Sequence, residues 1–300
     1  MSTSAAPTSA EPVAGGVAEA ARRTGSRRLW RRLARRKGAM IAAAFLLIVV
    51  LGAIFGPLLV GDPNAFQGTA RLQPPSAAHW FGTDNYGRDV LAQVVYGARS
   101  SLLVGVISGL GATVLGTAVA LLASMSRWFD LVVMRVVDGV MSFPILVLAL
   151  AMVAILGAGL VTVNICLVIV LFPGVTRVVR STALVVAELP MLDAARAAGA
   201  GRTRILLRYV LPACVTPILV QGAIVFTVAI LVESALSFIG AGLPPDVPSW
   251  GASLAASRSY LSTAWWMWAF PGAALVGTVL ATNVLIDDVR DLLDPRMTEG

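Results

Sequence analysis

Five stretches of this chain, each longer than twenty residues, carry no charged side chain: 38–61, 100–126, 139–176, 209–232 and 259–286, except that the fourth opens on Tyr209 directly after Arg208. About 20 apolar residues in a helix cross the hydrocarbon of a bilayer, and no other regular element of one chain segment satisfies its own backbone there. The third stretch, extended back to Leu131, is long enough for two helices joined at Gly157, Ala158 and Gly159. The pattern predicts an all-α membrane protein with six transmembrane helices. Composition agrees, because 57% of residues are hydrophobic and 13% charged, where a soluble domain carries about 25% charged residues. Trp265, Trp266 and Trp268 stand at the front of the last stretch, the headgroup position that indole rings favour.

Basic residues set the orientation. Nineteen of the 23 fall on one side of a six-span chain: Arg22 to Lys37, Arg127, Arg135, six in the 177–208 segment, Arg290 and Arg296. Arg71, Arg88, Arg99 and Arg258 fall on the other. The positive-inside rule therefore puts both termini in the cytoplasm. The expected organisation is a disordered tail over 1–26, a basic helix lying on the inner leaflet over 27–37, a first span over 38–60, an extracytoplasmic segment over 61–98, a core of five spans over 99–288 and a cytoplasmic tail over 289–300. The 27–37 segment sets Leu29 with Leu33, and Trp30 with Ala34, at helical spacing among arginines, the pattern of a helix held by anionic lipid. Its adjacency to a span argues against a nucleic-acid arm, and the following apolar run is too long for a cleaved secretory signal.

The residues for catalysis are missing. His79 is the lone histidine, and Cys166 and Cys214 are the only cysteines, read as buried free thiols; no metal cluster can be built from them. Lys37, the only lysine, is followed by Gly38 and Ala39 and lacks the glycines of a phosphate-binding loop. Gly109, Gly111 and Gly116 sit inside an apolar span and read as helix-packing positions. We expect no catalytic residue, no metal site and no cofactor bound by this chain.

The 183–212 segment is the most specific feature. Pro190 suits a helix start, Asp193 places its charge in the first turn, and Ala194, Ala195, Ala197 and Ala198 make a thin rod ended by Gly199 and Gly201. A second short helix leads to Leu211 and Pro212 and back into the bilayer. The order Asp193, Ala194, Ala195, three residues, Gly199, eleven residues, Leu211, Pro212 resembles the EAA loop of ABC-importer permeases, with Asp193 for the usual Glu and Tyr209 where Ile is common. The segments from His79 to Leu91, from Tyr96 to Leu102, from Glu233 to Gly251 and from Asp288 to Arg296 are similar to the C-type permease subunit of dipeptide, oligopeptide and nickel importers. The likeness extends over most of 28–296.

That resemblance implies a type I ABC-importer permease in a bacterial cytoplasmic membrane. It further implies a B-type permease partner, one or two ABC ATPase subunits or a fused ATPase, and an extracytoplasmic solute-binding protein. The cargo would be short peptides, with nickel or another small solute as the alternative. ATP and Mg2+ would bind the partner ATPases, docked on Asp193, Ala194, Ala195, Arg196, Gly199, Leu211 and Pro212. A stand-alone secondary carrier would need internal repeats and a charged midplane site, which the sequence does not display.

A few polar residues fall within spans. Arg135 and Asp138, three apart, are expected to pair on one helix face. Glu233 either lines an outer gate or ties down a loop. Asn164, Gln221 and Asn283 either face the pathway or bond between helices. Pro144 is expected to kink the third span and Pro271 lies early in the sixth. The topology is checked with reporter fusions: alkaline phosphatase joined within 61–98 or 241–264 should be active, and joined within 183–212 inactive. The reverse pattern would overturn the orientation.

Overall fold

The computed structural model describes residues 37–244 and 246–293. The expected tail over 1–26, all but Lys37 of the basic helix over 27–37, and residues 294–300 lie outside them. Helix α1 (Lys37–Phe55) continues through a 3-10 turn (Gly56–Leu58), and α2 spans Val90–Met125. Helices α3 (Arg127–Met141) and α4 (Ile145–Leu156) precede α5 (Leu160–Ala187). Two short helices, α6 (Pro190–Ala197) and α7 (Arg202–Ile205), lead through a π turn (Leu206–Val210) into α8 (Leu211–Phe238). Helix α9 (Trp250–Ser257) and α10 (Trp266–Leu293) complete the described fold. Among the described residues, five helical segments are long and apolar enough to cross a bilayer, and the number is six when the bent pair α3–α4 is counted as one span.

Helix α2 is the post on which the others are mounted. Its 36 residues run about 54 Å at 1.5 Å per residue, well beyond a hydrocarbon layer of about 30 Å. Its buried face is made largely of small residues: Gly97, Ser101, Gly105, Ser108, Gly109, Ala112, Gly116 and Ala120. This stripe lets α5 and α8 approach closely. A side chain added at Gly116 would come within 2.7 Å of the Phe172 carbonyl oxygen on α5. The Ser108 hydroxyl donates to Asn164 Oδ1 on α5 at 2.8 Å, while Asn164 Nδ2 donates to the Leu160 carbonyl. Helix α1 is peripheral: only Ala39, Ala42 and Ala53 are buried on it, and Phe45 lies against Gly277 of α10.

The third span departs from expectation. It is a pair of helices meeting at 92° across Ser142–Pro144 and not a kinked single helix. Proline lacks an N–H and holds the residue before it out of helical geometry, and Ser142 ends α3 with its N–H on the Asp138 and Gly139 carbonyls. Helix α4, 12 residues or about 18 Å long, cannot cross the bilayer by itself. Helix α3 is tied to α5 by two ion pairs. Arg180 grips both Asp130 oxygens, with Nη2 to Oδ2 at 2.6 Å. Arg177 Nη2 donates to Asp138 Oδ1 at 2.8 Å. The partner of Asp138 is therefore Arg177 on the neighbouring helix, where Arg135 had been expected. Helix-to-helix contact brings the Arg177 guanidinium directly onto that carboxylate.

Approach of α2 to α5 through Gly116 generates one expectation. Gly116→Val should cost about 1–3 kcal/mol through overpacking, read as a lower unfolding midpoint of the purified protein in mild detergent. An unchanged midpoint would show that this crossing is not close-packed.

Candidate functional site

The segment between α5 and α8 is built to present a helix. Leu189 is extended, Pro190 begins α6, and Asp193 lies in its first turn. The end is a Schellman motif: Gly199 N–H donates to the Arg196 carbonyl at 3.0 Å, and Ala200 N–H to the Ala195 carbonyl at 3.0 Å. Gly199 has φ +84°, a conformation that a β-carbon makes costly. Gly201, at φ −68°, is not a left-handed stop; it precedes α7 as its N-cap. Leu192 is fully buried in the main core, as is most of Ile205, so the loop is pinned from beneath. Arg196 donates to Asp193 Oδ1 at 2.7 Å and to the Ala187 carbonyl at 3.3 Å, fastening α6 to the end of α5. Pro190, Met191, Asp193, Ala194, Arg196, Ala197, Ala198 and Gly199 remain exposed, with Ala195 half-buried.

From Arg202 to Phe238 the chain is one continuous helical run with a π turn inside it. Pro212 accounts for the turn: it has no N–H to give to the carbonyl four residues back, and Leu211 N–H bonds instead to the Leu206 carbonyl. Leu211 is half-buried and Pro212 exposed. These two residues stand where the helical run from Arg202 enters α8.

At the opposite end, the signature segments converge. Glu233 on α8 is fully buried. Its carboxyl group accepts from Ser237 at 2.8 Å, Ser234 at 3.3 Å and Ser101 of α2 at 3.4 Å, and the Ser249 side chain interacts with it electrostatically. Ser249 caps α9 through Ala252 N–H, and Ser101 Oγ accepts the Trp250 N–H at 3.4 Å. The fully buried Trp250 indole donates to the Val94 carbonyl at 3.0 Å. Gly251 lies so close to α8 that a β-carbon would meet the Ser234 carbonyl oxygen at 2.5 Å. Of the two sequence readings for Glu233, this geometry is that of a tie between α2, α8 and α9.

The segment before α2 is equally fixed. Asp84 is buried, and its carboxylate accepts from the N–H groups of Tyr86 and Arg88 and from Gln93 Nε2. Gly87 has φ +78° and its α-carbon sits where a β-carbon would strike the Gln67 carbonyl. Asp89 caps α2, and its Oδ2 lies within hydrogen-bond distance of His79 Nδ1, at 2.9 Å. Trp266 Nε1 donates to the Thr83 carbonyl, joining this segment to α10.

The remaining span residues part company. Asn164 is buried in the α2–α5 bond described above. Gln221 is half-buried beside Gly174 and lines a cavity of about 240 Å3 with Met141, Phe143 and Ile145 at the α3–α4 elbow. Asn283 is exposed on α10. The pairs Asp130–Arg180 and Asp138–Arg177 escaped sequence reasoning, since they join residues 50 and 39 apart. The only available signal was two aspartates facing an arginine pair on adjacent segments of the inner side.

Comparison with known proteins follows the same lines. Residues 112–299 match the family described as the binding-protein-dependent transport system inner membrane component. Residues 26–75 match the N-terminal transmembrane domain of oligopeptide transport permease C. A putative peptide transport system permease protein of Brucella suis biovar 1 (strain 1330) is 45% identical, over 89% of this chain and 90% of its own. The dipeptide transport system permease protein DppC of Alkalihalophilus pseudofirmus is 40% identical over 90% of each chain. The glutathione transport system permease protein GsiD of Pectobacterium atrosepticum is 37% identical over 92% of each. Among solved structures, a chain of the inward-facing MetNI methionine ABC transporter superposes with a TM-score of 0.57 at 21% identity, covering 67% of this chain and 97% of that one.

The Glu233 tie is open to test. Glu233→Leu leaves the buried hydroxyls of Ser101, Ser234 and Ser237 without their acceptor, and should cost about 1–3 kcal/mol. Glu233→Gln, which keeps one acceptor oxygen, should cost less. Detergent unfolding gives the order, and limited proteolysis should cut the 241–264 segment first in the leucine variant.

Proposed function

This chain belongs to the inner membrane components of binding-protein-dependent transport systems, which makes it a multi-pass permease of a bacterial ABC importer with the type I fold, and from that premise we propose that its cargo is short peptides and that α6 is its coupling helix. The single observation that carries the cargo reading is the similarity to peptide permeases across about nine-tenths of both chains. In this reading, a B-type permease completes the pathway. ATP and Mg2+ act on separate ATPase subunits, and an extracytoplasmic solute-binding protein delivers the peptide.

The coupling role rests on how α6 is mounted. A rod that is exposed outward yet anchored by Leu192 and clipped by Arg196, with only residues 198–201 between it and the helical run that enters α8, moves as one body when a partner moves it. ATP-driven closure of the ATPase pair displaces Asp193 to Gly199. The displacement passes at one end into α5 through Arg196 and at the other into α8 through Leu211 and Pro212. The permease then exchanges between two packings, open outward and open inward, which must lie close in energy. Small residues along α2 suit such an exchange, since interlocking side chains do not have to be withdrawn for helices to slide or tilt.

In the reconstituted importer, labelled di- and tripeptides should be taken up only with ATP and the solute-binding protein. Pairing Ala194→Arg with Ala195→Arg should sever the link: the complex assembles less well or hydrolyses ATP without uptake. Gly199→Val, strained at φ +84°, should lower uptake per ATP by roughly tenfold if the stop costs about 1–2 kcal/mol to deform. Normal uptake in both variants would refute the lever, and uptake of a nickel chelate with none of peptides would refute the cargo.

A further inference from the structure

Helix α3 meets the rest of the molecule along one face and leaves two rows of side chains uncovered. The face toward α5 carries the fully buried Val137 with Asp130 and Asp138, both committed to arginines of α5. Away from α5 runs a row at four-residue spacing, Arg127, Leu131 and Arg135, all three exposed. Beside it runs a second row at the same spacing, Trp128, Val132 and Val136, which are 80%, 58% and 58% exposed. Residues four apart on a helix stand one above the other. The first row is therefore cationic at both ends, and the second is wholly apolar.

The two arginines have no carboxylate to answer them. Asp138, one turn from Arg135, is held by Arg177, and Asp130, one turn from Arg127, is held by Arg180. Among the described residues, no ion pair or side-chain hydrogen bond reaches Arg127 or Arg135. Helix α3 also sits at the inner surface of the membrane. It starts directly after Ser126, at the inner end of α2, and its ion pairs reach only the inner part of α5. It then meets α4 at 92°, so the two arms of the elbow cannot both run across the bilayer. A helix with an apolar row, an adjoining row of arginines and a tryptophan near its start is suited to a lipid–water interface. The apolar row enters the acyl chains, and the guanidinium groups stay level with the phosphates, which they bind with paired N–H donors.

We propose that the exposed face of α3 is a binding surface for anionic phospholipid of the inner leaflet, with Arg127 and Arg135 holding headgroup phosphates and Trp128, Val132 and Val136 lying against the acyl chains. Covering this face with a protein helix would take two unpaired guanidinium groups out of water, which is costly without an anion for each. Anionic headgroups supply those anions at the level where the arginines stand. The surface is independent of the cargo. It makes the inner arm of the elbow an element held by lipid. Because Asp130 and Asp138 join α3 to α5, a headgroup that holds α3 also steadies the helix that leads into α6.

The test uses the complete importer in phosphatidylcholine nanodiscs to which brominated phosphatidylglycerol or brominated phosphatidylcholine is added. Quenching of Trp128 is taken as the difference between the wild type and Trp128→Phe. At low salt the brominated phosphatidylglycerol should quench Trp128 at a mole fraction roughly 25-fold lower than the brominated phosphatidylcholine, about fivefold for each arginine. The preference should shrink as salt rises. Arg127→Gln with Arg135→Gln should abolish it while quenching by phosphatidylcholine remains. Arg127→Lys with Arg135→Lys, which keeps the charge, should retain most of it. Equal quenching by the two lipids in the wild type at low salt, or a preference that survives the glutamine pair, would overturn the proposal. So would a Trp128 that neither lipid quenches in the complex, because a protein subunit would then cover the face. Should the glutamine pair fail to assemble, the salt series on the wild type and Arg135→Gln alone decide the matter by the same criteria.

Discussion

Helices in lipid gain nothing by hiding apolar side chains from one another, because the surroundings are as apolar as they are. What holds this fold is therefore the closeness of backbones and the few polar groups that have nowhere else to bond. Both are concentrated on α2. Its glycines, alanines and serines admit the Phe172 carbonyl, the Phe226 side chain and the Trp250 indole at distances a larger residue would forbid. Its serines reach Asn164 on α5 and Glu233 on α8. Without that stripe α5 and α8 lose a common surface, and α9 loses its seat.

The two ends of the molecule are built on opposite principles. On the outer side, Asp84, Asp89, Glu233 and Trp250 each satisfy several groups at once, and the segments they bind are as well determined as the helices. On the inner side, α6 has a single buried anchor, Leu192, and an exposed face of alanines. Local stability follows buried contacts, so the inner loop is the part best able to shift as a unit while the outer segments keep their shape. The elbow between α3 and α4 sits between these regimes: its inner arm is gripped by Arg177 and Arg180, and its outer arm borders the cavity at Gln221.

Much of this was readable before any coordinates. Uncharged stretches announce spans because lipid leaves the backbone one solution, and the break at Gly157 to Gly159 and the stop at Gly199 follow from local chemistry. The elbow was not readable as such: Pro144 signals a break, yet its angle of 92° depends on what α3 packs against. Ion-pair choice was misjudged at Asp138 for the same reason. Spacing along one helix offers Arg135, whereas the fold supplies Arg177 from another. The site residues separate in the same way. Asp193 to Gly199 form a contiguous motif and could be located by inspection, while the tie made by Ser101, Glu233, Ser249 and Trp250 joins three segments that only tertiary structure brings together.

Glu233 also has a consequence for how the protein is made. Its carboxyl group belongs to the outer part of α8 and is fully buried, so leaving water costs free energy unless hydrogen-bond donors cover it. Synthesis runs from the N-terminus, so α2 and its Ser101 are already in the bilayer when α8 emerges. The serines at 234 and 237 travel with the acid and cover it in part, but the last hydroxyl arrives with Ser249, after the helix has crossed. Insertion of α8 is thus an unfinished step until the segment behind it folds back. The order of residues along the chain doubles as an order of assembly, in which α2 waits for α8 and α9 closes the joint.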